Sequence, residues 1–197
     1  QLGDVLGFEA LMRWEREDGS MISPAEFIPI AEETGTIVPI GAWALLEALT
    51  HLRGWISEGA CRSDATMSVN VSPRQLHDPN FVAVVSEALM RSHVPAEQLW
   101  LEITEGVMIA QPDQALVTLT KLCDIGVRIA IDDFGTGYSS LSLLQKFPIH
   151  RLKIDKSFVS GVANDQSARS LVRTIIAMGE SLGLDMVAEG VESVRQL

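Results

Sequence analysis

Six short apolar runs, each holding a charged or amide side chain, alternate with helix-forming segments along this 197-residue chain. That alternation constrains the fold more than any other feature. Strands separated by helices cannot close as tight hairpins; they return by crossovers and pair in parallel. The runs lie near residues 5–14, 66–71, 99–104, 128–132, 151–155 and 185–189. The first is the longest, and it carries Glu9 in its middle. The others place Asn70, Glu102, Asp132, Lys153 and Glu189 within or at the end of an apolar stretch. An unpaired buried charge costs several kcal/mol, so acids that recur in core strands imply a shared partner. Divalent cations, which prefer oxygen ligands, are the simplest one.

The helix signals fit between these strands. Ser23-Pro24-Ala25-Glu26 has the capping-box pattern with proline at the first helical position, and its helix stops near Gly35. Further helices are expected over 39–58, from Asp78-Pro79 through Arg91, and from Gln111-Pro112 to a C-cap at Gly126. A shorter one covers Ser139 to Phe147, a long one spans 165–182 before Gly183, and a last begins near Val191. The class is therefore α/β. An open doubly wound sheet would gather a site from two or three strands at one switch point. Six contributing strands favour a TIM-type (β/α) barrel, whose site lies at the C-terminal strand ends. A closed barrel has eight strands, two more than this chain shows.

A 47% hydrophobic chain of this length fills one core, and no apolar run is long enough to span a membrane. Gln1 opens without a basic and apolar leader, and Cys61 and Cys123 fit no metal or redox spacing; reduced thiols in the cytoplasm are expected. The net charge of −11 argues against a nucleic-acid polymer or an anionic membrane as partner. A small phosphorylated ligand remains compatible with it, because bound cations invert the local field. His51, His77, His93 and His150 have no ligand spacing and read as surface or structural, and no nucleophile elbow is present.

Each polar residue has two readings at this level. Glu9 and Arg13, four apart on one strand face, serve a metal and a phosphate or form an internal ion pair. Asn70 is a ligand or a turn former. Glu102 has apolar strand neighbours, and Glu105 either supports it or starts a helix. Asp132-Asp133 is the sharpest local signal, since adjacent acids can serve two metals when the first bridges them. The Phe134-Gly135-Thr136-Gly137-Tyr138 loop that follows is neither a dinucleotide fingerprint nor a P-loop. Lys153 and Asp155 share a strand face, as a buried pair or as a cation that orients water or a phosphate oxygen. Glu189 ends its strand at a glycine.

Together the blocks EALMRW, SVNVSPRQL, LEITE, IDDFGTGYSSL, LKIDKSFV and VAEGVE resemble, in order and rough spacing, the EAL-domain cyclic di-GMP phosphodiesterases. The likeness covers essentially residues 1–197 as one partial domain. It implies a modified TIM-type (β/α)8 barrel, here incomplete at both ends, because a leading strand with a Gln-Pro pair and a closing strand with a Gln-Gly-Tyr-type motif are not found. It implies hydrolysis of cyclic di-GMP to linear pGpG with two Mg²⁺ or Mn²⁺ ions. Glu9, Asn70, Glu102 and Asp132 would hold one ion, and Asp132, Asp133 and Glu189 the second. Lys153 would orient or polarise the water, and Glu189 would act as base. Arg13 and Asp155 would face the substrate, and Glu105 would support the loop from Asp132 to Tyr138. A homodimer is implied, within a longer bacterial signalling protein carrying sensory or GGDEF-type domains and, in some settings, a membrane anchor. A catalytically silent receptor for the same dinucleotide is the alternative, and silent relatives lose metal ligands that this chain keeps.

Overall fold

The structure is a computed structural model that describes residues 5–135 and 144–196, and it divides into two compact units. The first runs up to Leu101 and includes Lys121–Arg128; the second holds Glu102–Thr120 and the chain from Ile129 onward.

In the first unit, β1 (Gly7–Ala10) lies parallel to β4 (Thr66–Asn70), with Glu9 opposite Ser68 and Ala10 opposite Val69. The expected long first strand is therefore only four residues, and Glu9 sits near its end. The chain leaves the sheet after Ala10 and forms a separate antiparallel pair, β2 (Trp14–Glu15) with β3 (Met21–Ile22). The turn between them is fixed by Asp18, whose Oδ1 accepts from the Ser20 amide at 2.9 Å and hydroxyl at 2.6 Å. Arg13 falls between β1 and β2, so the argument that placed it on the strand face of Glu9 does not hold.

Helices α1 (Pro24–Thr34) and α2 (Ile37–Ser57) follow. Pro24 opens α1 as expected, but the Ser23 side chain makes no cap bond. A complete capping box forms instead at Ser72, ahead of α3 (Pro73–Leu76), where Ser72 and Gln75 each accept from the other's backbone amide. Helix α4 (Phe81–Ser92) packs on α2, and Leu45, Leu49 and Leu52 meet a core that also holds Val85, Leu89, Met67 and Val69. Burying each such side chain contributes about 1.5–3 kcal/mol before ordering entropy is set against it.

The strand order is β1-β4-β5-β6-β7-β8. Strand β5 (Leu99–Thr104) begins in the first unit and ends in the second. In the second unit, α5 (Glu105–Ala110) follows it directly; α6 (Pro112–Asp124), whose last turn belongs to the first unit, leads to β6 (Arg128–Phe134), the longest described strand. Its Ile129-Ala130-Ile131 core is the continuous apolar run of a parallel strand covered on both faces. β7 (Arg151–Ile154) pairs in parallel with β6 and with β8 (Asp185–Ala188). Between them stand α7 (Lys156–Ser160) and the long α8 (Gln166–Ser181). The Asp165 side chain caps α8 by accepting from the Ser167 amide at 2.8 Å.

The α/β class and the parallel succession thus agree with an incomplete TIM-type barrel: six parallel strands are present among the described residues. The helix expected from Ser139 to Phe147 falls largely outside those residues. The helix expected near Val191 is, among them, only a 3₁₀ turn at Val194–Gln196. No described helix is long and apolar enough to cross a membrane.

Candidate functional site

The parallel register of β1 and β4 carries Glu9 and Asn70 to the same end of the pair. There the Asn70 amide Nδ2 donates to Glu9 Oε1 at 2.8 Å, and both side chains are exposed. The two strands approach very closely at their start: a Cβ on Gly7 would lie 2.2 Å from Thr66 Oγ1 and 2.9 Å from the Thr66 carbonyl oxygen. Arg13, in the same unit, is exposed and donates from Nη1 to the Met12 carbonyl at 2.8 Å.

In the second unit, β5 to β8 deliver Glu102, Asp132, Lys153 and Glu189 to one cluster. Lys153 is its centre. Its Nζ lies 2.5 Å from Glu102 Oε2, 2.7 Å from Glu189 Oε1 and 3.0 Å from Asp132 Oδ1. Glu102 and Lys153 are both buried. Burial alone would lower the Lys153 pKa, but the bonds to Glu102, Glu189 and Asp132 outweigh it and raise the pKa above the ordinary lysine value. Lys153 is therefore an ammonium ion at neutral pH and cannot serve as a base.

Lys153 and Asp155 do not continue along one strand. β7 ends at Ile154, and Asp155 turns away to cap α7, its Oδ1 accepting from the Ser157 amide at 2.9 Å. The Ser157 side chain first, and this amide second, hold the Asp155 carboxyl below its ordinary pKa. Asp155 is also hydrogen-bonded to Asp133, whose pKa is raised, first by burial and then by the charges of Asp132, Asp155 and Glu189.

Asp132 and Asp133 stand at an irregularity in β6, where the register with β7 shifts between Ile131 and Phe134. Asp133 takes a φ of 50°, a left-handed backbone that side-chain-bearing residues seldom adopt. A bulge of this kind re-aims side chains beside a functional site. Its result here is that Asp132, Asp133 and Glu189 each bring one carboxylate oxygen within 4.8 Å of the others. Glu105 opens α5, and its Oε1 accepts from the Gly135 amide at 2.7 Å, two residues beyond Asp133.

Sequence reasoning missed the part played by Gly135. Its φ is 99°, and a Cβ there would lie 2.9 Å from the Phe158 ring, so glycine lets the backbone turn toward Glu105 against that ring. The glycine after the two aspartates was the only signal. Residues 136–138 of the expected loop lie outside the described residues.

The donor set suits a hard divalent cation. In the second unit, Asp132, Asp133 and Glu189 offer only oxygen. Thiol and imidazole groups do not enter it: Cys123 belongs to the other unit, and burial pushes its thiol up to about 11. His150 is structural, its Nδ1 accepting from the Ile129 amide at 3.2 Å.

The EAL-domain family model matches residues 1–197. MucR of Pseudomonas aeruginosa, described as a bifunctional diguanylate cyclase/cyclic di-GMP phosphodiesterase, is 43% identical over 194 residues, which are 98% of this chain and 28% of MucR. PdeR of Escherichia coli, described as a cyclic di-GMP phosphodiesterase, is 37% identical over 194 residues, 98% of this chain and 29% of PdeR. The chain thus spans less than a third of either curated relative. The solved MucR phosphodiesterase in complex with c-di-GMP superposes with a TM-score of 0.90 at 43% identity, over 97% of this chain and 76% of that one. With its motifs matched from the first strand to the last, the chain belongs to the EAL-domain family.

Proposed function

We propose that this chain hydrolyses cyclic di-GMP to linear pGpG with two Mg²⁺ or Mn²⁺ ions. The observation that carries the reading is the carboxylate cluster of the second unit, in which Asp132, Asp133 and Glu189 bring oxygens within 4.8 Å of one another, Asp132 and Glu189 also meeting the Lys153 ammonium. The activities named for MucR and PdeR support it. By the family likeness, Glu9, Asn70, Glu102 and Asp132 hold one ion, and Asp132, Asp133 and Glu189 hold the other. Bound divalent cations supply Lewis acidity, which lowers the pKa of water and stabilises attacking and leaving oxygens.

The chain's own residues do the rest. A water oxygen forms the new P–O bond as its proton passes to Glu189 as base, and the P–O3′ bond breaks, the O3′ oxygen taking up a proton from solvent. Lys153, fixed as an ammonium, donates to the water or to a phosphoryl oxygen and takes up no proton. Arg13 meets a phosphate of the substrate, and Asp155 completes the substrate wall beside Asp133. Glu105 holds the backbone at Gly135 and so fixes the direction of the aspartate pair. The acidic chain binds a dianionic dinucleotide once its cations are loaded. We place it in the cytoplasm, as a homodimer, in a longer protein with sensory or GGDEF-type domains.

Product analysis tests this reading. Cyclic di-GMP is incubated with the chain and Mg²⁺ or Mn²⁺, with EDTA as control. Linear pGpG that vanishes with EDTA is expected. Binding without turnover would identify a silent receptor instead.

A further inference from the structure

We infer that Lys153 is a tethered counter-cation: it holds the acidic cluster together when no divalent ion is bound, and it yields Asp132 and Glu189 when one binds. The inference rests on the proposed reading of the cluster as a cation site. Three observations carry it.

The first is donor counting. An ammonium has three N–H bonds, and Lys153 Nζ has three carboxylate partners, at 2.5, 2.7 and 3.0 Å. The bond to Glu102 is a hydrogen bond, and the contacts with Glu189 and Asp132 share the remaining charge of the same ammonium.

The second is which partners are shared. Asp132 and Glu189 also form the three-acid group with Asp133; Glu102 is outside that group. A divalent ion binding there competes with Lys153 for two partners and leaves it the third. Glu102 is the most buried of the three and the closest, so it anchors the lysine in both states.

The third is the rigidity of the lysine's base. Lys153 lies between buried Leu152 and Ile154 on a strand paired on both sides, opposite Val187 of β8. The ammonium cannot withdraw far from the cluster. Its charge acts on an incoming cation from a nearly fixed position at the buried side of the three-acid group.

The inference has a signature that a merely structural lysine lacks. Removing the charge moves two measurable quantities in opposite directions. Lys153→Met leaves the carboxylates uncompensated and lowers the melting temperature in EDTA, by roughly 10 °C. The same change removes a repulsion and frees two ligands, so Mn²⁺ binds about tenfold tighter or more. Lys153→Arg keeps the charge and stays near the unsubstituted chain in both respects.

The experiment is calorimetric titration of the unsubstituted chain and both variants with Mn²⁺ alone, beside thermal melts in EDTA. Equal or weaker Mn²⁺ binding by Lys153→Met overturns the inference, as does tighter binding by Lys153→Arg as well. Should Lys153→Met fail to fold without Mn²⁺, the unsubstituted chain decides through ¹⁵N-lysine NMR. The Lys153 ammonium resonance then shifts as Mg²⁺ saturates the site; a resonance that stays put through saturable binding overturns the inference. Failure of the unsubstituted chain to bind either ion overturns the reading of the cluster itself, an outcome separate from a lysine without effect on binding.

Discussion

The two units build oxygen-rich sites by opposite means. In the first, Glu9 and Asn70 meet through one hydrogen bond between a carboxylate and a neutral amide, both exposed. Their placement depends on the register of two strands. In the second, three carboxylates crowd around one ammonium, with Glu102 and Lys153 buried. There the side chains are part of the core, and removing one leaves a charge uncompensated. The comparison teaches that ligands of the same chemistry can be independent of the fold in one region and inseparable from it in another.

The largest expected effect on stability is at Glu102. Glu102→Ala removes the closest partner of a buried ammonium and should lower the unfolding free energy by about 3 kcal/mol. Urea denaturation in EDTA measures it. A loss below about 1 kcal/mol would place the second unit in the same regime as the first. Next is Gly7→Ala. The new methyl would meet the Thr66 carbonyl oxygen at 2.9 Å, a backbone atom that cannot rotate away, so a loss of about 2 kcal/mol is expected. Because that clash pushes β1 from β4, turnover should fall as well. A variant of unchanged stability would show that strand spacing does not set the Glu9–Asn70 geometry.

Much of this organisation is legible in the sequence. Strand-helix alternation gave the parallel order, and the apolar runs marked β4 to β8 closely because core strands admit few polar residues. Two failures have physical causes. EALMRW reads as one continuous strand, yet the chain leaves the sheet at Ala10 to make a hairpin stabilised by Asp18, and Arg13 goes with it. The pattern Ser-Pro-x-Glu/Gln occurs twice, at Ser23 and at Ser72, and only the second closes a capping box. Glu26 is exposed and solvated, whereas Gln75 is buried and has its own amide needs to satisfy. The Lys153 partners were also out of local reach. Strand alternation offered Asp155, which caps a helix, while the acids that the ammonium meets come from β5, β6 and the residue after β8.

At Glu9 the comparison predicts a separation of function from stability. Glu9→Ala should abolish pGpG formation and change the unfolding free energy by less than about 1 kcal/mol, since its side chain and its hydrogen bond to Asn70 are exposed to solvent. Turnover and urea denaturation on the same preparation check both halves. Retained turnover would remove Glu9 from the site.

The smallest effect is a pH dependence that belongs to the second unit. The folded-state pKa of Lys153 lies above its unfolded value of 10.5. A raised lysine contributes stability that is complete below the unfolded pKa and is lost as pH rises beyond it, because the unfolded chain then releases a proton the folded chain retains. The stability difference between the unsubstituted chain and Lys153→Met should therefore be flat from about pH 7 to 10. Above 10.5 it should shrink, approaching a limiting slope of about 1.4 kcal/mol per pH unit. Urea denaturation of both proteins across that range measures it. A difference that persists undiminished at pH 11.5 would mean that Lys153 stabilises through its packed methylenes, and the contrast between the two units would then rest on burial alone.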